Sequence, residues 1–104
     1  MQYGIVLVNL DPTKGSEINK TRPCLVISPD EMNKHLSTVV VAPMTTSGKD
    51  YPTRVNIMHN GEKGAVAMDQ IRTIDKRRII KSIGRISDEE INQCKAVIKE
   101  TYVD

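Results

Sequence analysis

The chain has 104 residues, a formal net charge of +2, 38% hydrophobic residues and neither Phe nor Trp. This length suits one domain, whose core must be built mainly from Val, Ile, Leu and Met. Such a core is small, and a homodimer would bury further apolar surface. The weak net charge does not by itself indicate nucleic-acid binding, and no apolar run approaches the roughly 18–20 residues of a membrane span.

The N-terminus and the two cysteines favour a soluble, cytoplasmic protein. The start MQYGIVLVNLDPT has no basic region and only a short apolar run, unlike a signal peptide. Cys24 and Cys94 are far apart, with no CxxC spacing and no cluster of histidines around them. We therefore expect two free, buried thiols, and neither a metal site nor a cofactor.

The first half of the chain is predicted to contain three apolar strands. They are Tyr3–Leu10, Pro23–Ser28 and Thr38–Met44. The first ends at the turn signal Asp11-Pro12, and Pro43 indicates that the third bends or reaches a sheet edge. Residues 31–35 are expected to form one short helical turn, and polar loops follow the first and third strands.

The second half is predicted to contain further strands and one long helix. Residues 53–58 alternate as a half-buried strand does, Asn60-Gly61 is a turn dipeptide, and residues 64–71 lead into another strand, with residues 72–75 at its exit. Residues 76–86 are expected to form a turn and a strand. Ser87 and Glu90 have the spacing of a capping box.

An amphipathic helix is predicted after this capping box. Ile91, Cys94, Ile98 and Tyr102 follow at helical spacing on one face. Five or six short strands joined by turns favour an antiparallel sheet. The expected fold is α+β and mainly β, a small, partly closed barrel packed by the C-terminal helix.

Three polar segments interrupt this framework: GSEINKTR, TTSGKDYP and DQIRTIDKRR. Their cations and hydroxyls suit a phosphate-bearing ligand, because Arg offers a fixed fork of donors and Thr or Ser supplies short hydrogen-bond arms. Arg22, at the start of a strand, would have its backbone held by the sheet. The alternative is a surface ion pair with Glu17, worth about 0–1 kcal/mol and without functional meaning.

The strings LVNLDPTKGSEINKTRPCLVIS, VAPMTT…YPTRV and VAMDQIRTIDKRRIIKSIGRIS strongly resemble the MazF/PemK toxins of bacterial toxin–antitoxin modules. The resemblance runs from about Tyr3 to Ser87. It implies a dimeric, SH3-like barrel of the CcdB/PemK type that binds RNA in a groove at the dimer interface. It also implies sequence-specific, metal-independent cleavage of single-stranded mRNA, leaving a 2′,3′-cyclic phosphate and a 5′-hydroxyl.

The resemblance also implies the roles of four residues. Arg22 and Thr45 match the arginine and hydroxyl that family members use in catalysis, and Glu17 and Asp69 match acidic positions near the site. Two matches to the PemK branch are missing, because Ser16 replaces a histidine and Ala67 replaces an arginine.

The general base is not fixed by this match. Arg22 is an unlikely base because its pKa is above about 12, and Thr45 can only donate to the phosphate. Glu17 and Asp69 remain as candidates, with Glu17 ranked slightly higher because it lies close to Arg22 in sequence. Asp69 and its neighbour Gln70 have a structural alternative, bracing the turn after a strand.

Contacts to RNA are expected from polar and basic residues of the same segments. They are Ser16, Asn19, Lys20, Thr46, Ser47, Tyr51, Gln70, Arg72, Lys76 and Arg77. The cations could equally form a solvated face. His35 and His59 lie outside the family motifs, so we expect surface histidines on which activity does not depend.

The resemblance implies a cognate, acidic, MazE-like antitoxin that covers the basic groove, with DNA binding by the toxin–antitoxin complex. An alternative from another class is a CcdB-like toxin that binds DNA gyrase and has no nuclease activity. That family places its contacts in a C-terminal Trp-Gly-Ile end, whereas this chain ends in KETYVD. An inactive or regulatory relative is a third possibility, because the base is not identified.

Overall fold

The computed structural model describes residues 1–11, 20–46 and 51–103. These residues form seven strands and two α-helices. The elements are β1 (Gly4–Asp11), β2 (Lys20–Val26), α1 (Asp30–His35), β3 (Thr38–Thr45), β4 (Arg54–His59), β5 (Glu62–Ala67), β6 (Arg72–Asp75), β7 (Ile79–Arg85) and α2 (Asp88–Ile98). Short 3₁₀ turns at Met68–Gln70 and Lys76–Arg78 flank β6, and a π-helical turn at Lys99–Val103 follows α2.

The strands form two antiparallel sheets that share β3. The first sheet has the order β7-β1-β2-β3-β6, and the second contains β4, β5 and the last residues of β3. Along β3, Pro43 pairs with Cys24 of β2, whereas Met44 and Thr45 pair with β5. The bend that Pro43 predicted is therefore confirmed, and it lies where β3 passes from one sheet to the other.

Burial on both faces explains why the strands of the first sheet are apolar runs rather than alternating patterns. One face packs against the second sheet and α2 in the main core, made of Ile5, Leu25, Ala42, Val55, Ile57, Val66, Met68, Ile86, Ile91 and Cys94. The other face forms the second core, made of Val6, Val8, Cys24, Val26, Val39, Val41 and Ile74. Because Ile79 of β7 also packs against the second core, both edge strands of the first sheet converge on it, and the sheet curls into a partial barrel.

Helix α2 begins at the predicted capping box. The Ser87 hydroxyl accepts from the backbone amide of Glu90 at 3.2 Å, and the Glu90 carboxylate accepts from the backbone amide of Ser87 at 2.9 Å. The second oxygen of Glu90 accepts from the backbone amide of Met58 at 2.8 Å. A single carboxylate thus caps the helix and joins it to β4.

Most strand boundaries differ from the prediction by one or two residues, and two strand ends differ by more. Strand β2 begins at Lys20 rather than Pro23, because Thr21 and Arg22 pair with β1 although both are polar and exposed. The strand predicted over residues 64–71 ends at Ala67, where the backbone amide of Met68 donates to the Thr53 carbonyl at 3.0 Å and the chain turns.

Residues 72–75 form β6, a strand that the sequence did not predict. It pairs with β3 over four residues, from Arg72 opposite Val41 to Asp75 opposite Thr38. Ile74 is its only buried residue, so the segment carries too little apolar pattern to indicate a strand.

The cysteines and histidines follow the prediction in part. Cys24 and Cys94 are free and buried, as expected, and burial raises their thiol pKa values to about 11 and about 12. His35 is exposed on α1, and His59 is partly exposed at the end of β4. That activity does not depend on either histidine stays a prediction. In the described part of the chain, the helices fall short of the length and apolar character that crossing a bilayer requires.

Candidate active site

Arg22 lies on the face of the first sheet that forms the second core. It stands near the beginning of β2, where this core meets solvent. It pairs with Val8 of β1 and stands two residues before Cys24, so both side chains point to the same face of β2. Cys24 is fully buried, whereas Arg22 is exposed. The strand therefore holds a guanidinium at the end of an apolar cluster, where its charge stays in contact with solvent.

Arg72 reaches the same region from the other edge of the sheet. As the first residue of β6 it pairs with Val41, and Val41 and Ile74 both belong to the second core. Burial is the main cause of the raised thiol pKa of Cys24, and the charges of Arg22 and Arg72 both act to lower it. Two guanidinium groups thus lie close enough to one thiol to influence its ionisation, and together they favour an anion at this end of the barrel.

Thr45 completes this group, which we call the cationic mouth (Arg22, Thr45 and Arg72). Cys24 pairs with Pro43, so Thr45 lies two residues beyond the end of the pairing between β2 and β3, and it lines one cavity with Pro23, the neighbour of Arg22. At that point β3 has left β2 and pairs with β5, where Thr45 lies opposite Ala65. The half-buried Thr45 is the last residue of β3 rather than part of the following loop, and Thr46 next to it is exposed.

Asp69 belongs to a second group, formed with the beginning of β4. Its carboxylate accepts from the Thr53 hydroxyl at 3.0 Å and from Arg54 Nε at 3.1 Å. Arg54 also lies over the ring of Tyr51, with its guanidinium carbon 5.2 Å from the ring centroid. Gln70, beside Asp69 in the 3₁₀ turn, is exposed.

These contacts set the ionisation of Asp69. Desolvation acts to raise its carboxyl pKa, but hydrogen bonds from its own backbone, Thr53 and Arg54, together with the Arg54 charge, outweigh this and lower the pKa. The carboxylate is therefore braced and stabilised in its charged form. Both readings of Asp69, a site residue or a brace for the turn, agree with part of this geometry.

Lys76 and Arg77 lie at the opposite end of β6 from Arg72. The Lys76 ammonium donates to the backbone carbonyl of Asn33 in α1. Arg77 is an exposed side chain that pairs with Asp75 at 3.0 Å. The basic residues 76–78 therefore lie at the far end of β6, away from the cationic mouth. Their contact with RNA stays a prediction.

Several predicted site residues have no described side chain. Ser16, Glu17, Asn19 and Ser47 lie outside the described residues, and Lys20 is described only through its backbone pairing with Asp11. The sequence reasoning missed Thr53 and Arg54, which hold Asp69. The only signal for them in the sequence was that both lie in the segment YPTRV, part of a string that resembles the MazF/PemK toxins. Within residues 1–11, 20–46 and 51–103, no three His, Cys, Asp or Glu side chains are arranged to hold a metal ion.

Comparisons with known proteins agree with this architecture. Residues 1–102 match the family described as the PemK-like, MazF-like toxin of type II toxin–antitoxin systems. The Endoribonuclease toxin MazF of Escherichia coli K12 is 35% identical over 95 residues, which cover 90% of this chain and 86% of that protein.

Solved structures with the same fold include complexes. A MazE–MazF structure from Deinococcus radiodurans superposes with a TM-score of 0.81 at 26% identity, covering 95% of this chain and 91% of that one. An endoribonuclease in complex with its cognate antitoxin from a mycobacterial species has a TM-score of 0.81 at 22% identity, covering 96% and 91%. The expected mainly β barrel with a C-terminal helix is confirmed.

Proposed function

Because this chain belongs to the PemK-like, MazF-like toxins of type II toxin–antitoxin systems and is an endoribonuclease toxin of that family, we propose that it cuts single-stranded mRNA at a short recurring sequence without a metal ion. The observation that carries this proposal is the cationic mouth. Arg22 and Arg72 reach the region of the Cys24 thiol from two strands, and Thr45 follows closely after the last residue of β3 that pairs with β2. Cleavage of this kind would stop translation and growth.

The proposed reaction is an internal transesterification. The 2′-oxygen of the ribose forms a bond to the adjacent phosphorus, and a base takes its proton. The bond from phosphorus to the 5′-oxygen breaks, and that oxygen takes up a proton from an acid. The products are a 2′,3′-cyclic phosphate and a 5′-hydroxyl, so no water is consumed in this step.

The cationic mouth suits the charge that develops in this reaction. The pentacoordinate phosphorus carries two negative charges, and fixed donors at that point lower the barrier. Arg22 offers two parallel N–H donors on a strand that the sheet holds in place, and Thr45 adds a hydroxyl donor. We assign Arg22 and Thr45 to stabilising the transition state, and Arg72 to holding the phosphate backbone.

The acid–base pair involves Glu17 or Asp69. Arg54 and Thr53 stabilise the charged form of Asp69 and lower its pKa, which makes it a weaker proton acceptor. This supports Glu17 as the base. Ser16, Asn19, Thr46, Ser47, Tyr51 and Gln70 are proposed to contact the bases and backbone around the cut.

A homodimer in the cytoplasm is the proposed working form, with a cognate acidic antitoxin as its partner. Apolar side chains such as Met32 and Leu36, which are 42% and 43% exposed, could be buried in a dimer interface. An acidic segment would neutralise Arg22 and Arg72 and compete with RNA at the cationic mouth. A mycobacterial endoribonuclease with the same fold has been solved in complex with its cognate antitoxin.

The test is cleavage of a long single-stranded RNA in EDTA by the native protein, Arg22→Ala and the control Lys34→Ala, which removes an exposed cation on α1. We expect the native protein and the control to cut at one short motif and leave cyclic phosphate ends, and Arg22→Ala to lose about 10²–10³-fold in rate. Intact RNA with the native protein would overturn the nuclease proposal and make gyrase binding the next assay. Equal cutting by Arg22→Ala would overturn the role of Arg22.

A further inference from the structure

The hairpin of β4 and β5 carries two polar side chains to its inner face. Asn60 and Gly61 both have positive φ, at 51° and 79°, which is the backbone of a type I′ turn. This turn pairs His59 directly with Glu62. Val55 and Ile57, which share a face of β4 with His59, are in the main core. His59 and Glu62 therefore point from the hairpin toward the first sheet.

The ring of His59 rests on a glycine of the first sheet. A Cβ atom placed on Gly84 of β7 would lie 2.5 Å from His59 Cε1 and 3.0 Å from Nδ1. No side chain other than hydrogen leaves room for the ring there. The absence of a side chain at Gly84 thus allows the His59 ring to approach the backbone of β7.

Beside this ring a cavity of about 130 Å³ opens between the hairpin and the ends of β2 and β3. It is lined by Pro23 of β2, by residues 44–46 at the end of β3, and by His59 and residues 62–64 of the hairpin, among which Lys63 alternates with the inward-facing Glu62 and Gly64. Thr45 belongs both to this cavity and to the cationic mouth. Met44 packs against the main core, so alternation along β3 turns the Thr45 side chain to the other side of the strand, toward the cationic mouth. A group that enters the cavity would therefore be separated only by the width of β3 from the phosphate that Thr45 contacts in the proposed reaction.

The size and chemistry of the cavity select its occupant. A cavity of about 150 Å³ holds one benzene ring, so this one accepts a single six-membered ring rather than a stack of rings. An imidazole ring can stack on the face of a base, and a methionine side chain makes favourable contacts with aromatic rings. The Glu62 carboxylate is an acceptor only, so it matches the N4 amine of cytosine and repels the O4 atom of uracil.

We propose that this cavity binds one cytosine of the RNA at a fixed position beside the cleaved phosphate, with His59 as the stacking face and Glu62 as the acceptor for the N4 amine. The inference rests on the proposed function and names a base that the chain selects. His59 is in this view a specificity residue and transfers no proton, which is compatible with a cleavage mechanism that needs no histidine.

The first experiment sequences the cut sites in a randomised RNA pool for the native protein, Glu62→Gln and the control Glu89→Gln, which alters an exposed carboxylate on α2. We expect a cytosine at one fixed position next to the cut for the native protein and the control. Since Gln can also donate to uracil O4, the preference for cytosine over uracil in Glu62→Gln should fall about tenfold or more. Cleavage by the native protein with no fixed cytosine, or an unchanged preference in Glu62→Gln, would overturn the inference and leave the nuclease intact.

The second experiment measures binding without cleavage, by fluorescence anisotropy of oligonucleotides whose nucleotide at the cut carries no 2′-hydroxyl. One oligonucleotide has cytosine and the other uracil at the tested position. Native protein should bind the cytosine form about tenfold more tightly. Gly84→Ala, whose new methyl group displaces the His59 ring, should lose most of that difference through weaker binding of the cytosine form, while its affinity for the uracil form stays that of the native protein. Equal affinities for native protein would overturn the subsite. Absence of RNA cleavage in the first experiment would instead contradict the proposed function.

Discussion

The Tyr102 hydroxyl donates to the Met68 carbonyl at 2.5 Å. Tyr102 lies in the π-helical turn that follows α2, and Met68 begins the 3₁₀ turn that carries Asp69. The C-terminal helix thus reaches across the main core and fastens the turn from which Asp69 meets Arg54. The C-terminal helix therefore packs against the main core and also helps to hold the turn that carries Asp69.

Tyr102→Phe removes this link and keeps the ring. We expect the free energy of unfolding to fall by about 0.5–1.5 kcal/mol, because the buried carbonyl of Met68 loses its donor. Urea denaturation measures the change, and Tyr51→Phe on an exposed ring is the matched control. A midpoint for Tyr102→Phe equal to that of the native protein would show that the bond contributes no net stability.

Glu17→Gln and Asp69→Asn separate the two candidate bases. Because Arg54 and Thr53 lower the pKa of Asp69, we expect Asp69→Asn to retain activity within about tenfold and Glu17→Gln to lose about 10²–10⁴-fold. Initial rates on one RNA substrate at saturating concentration give both values. The reverse order would assign the base to Asp69 and make its pairing with Arg54 part of the mechanism.

Arg72→Ala and Arg77→Ala compare the two ends of β6. Arg72 faces the cationic mouth, whereas Arg77 is held by Asp75 at the far end. We expect Arg72→Ala to weaken RNA binding across sequences and to reduce the slope of log affinity against log salt by about one, with a smaller change for Arg77→Ala. Anisotropy titrations between low and moderate salt test this. Equal losses would support a continuous basic surface over residues 72–78.

The ionisation of the Glu90 carboxyl group makes the free energy of unfolding depend on pH. Desolvation acts to raise its carboxyl pKa, but hydrogen bonds from Ser87 and Met58 outweigh this and lower it. Since the folded pKa lies below the unfolded value of about 4.3, the stabilisation is present above that pH and is lost as pH falls through the folded pKa.

Glu90→Gln should therefore be destabilised at pH 7, by about 0.5–2 kcal/mol for loss of the capping carboxylate, and the difference should shrink toward pH 3. Denaturant unfolding at several pH values measures this difference, with Glu89→Gln as control. A difference that does not vary with pH would mean that the charge of Glu90 has no part in the cap.

Local signals allowed much of the fold to be predicted. Ser87 and Glu90 predicted the helix start, Asn60-Gly61 predicted the hairpin turn, and Pro43 predicted the bend in β3. Each signal works through backbone geometry or a hydrogen bond within a few residues. The beginning of β2 and all of β6 escaped prediction, because their polar residues are held by pairing with distant strands rather than by an apolar pattern.

By itself the sequence determined the family, the order of most strands, the capped terminal helix and the candidate residues Arg22, Thr45 and Asp69. Only the tertiary structure decided which of these residues meet. Arg22 and Arg72 converge because two strands flank β3, Asp69 pairs with Arg54 because the chain turns at Met68, and the His59 ring rests where Gly84 has no side chain. The physical reason is that these contacts join residues 15 to 50 positions apart, whose distance depends on strand register and sheet curvature, which no local pattern encodes.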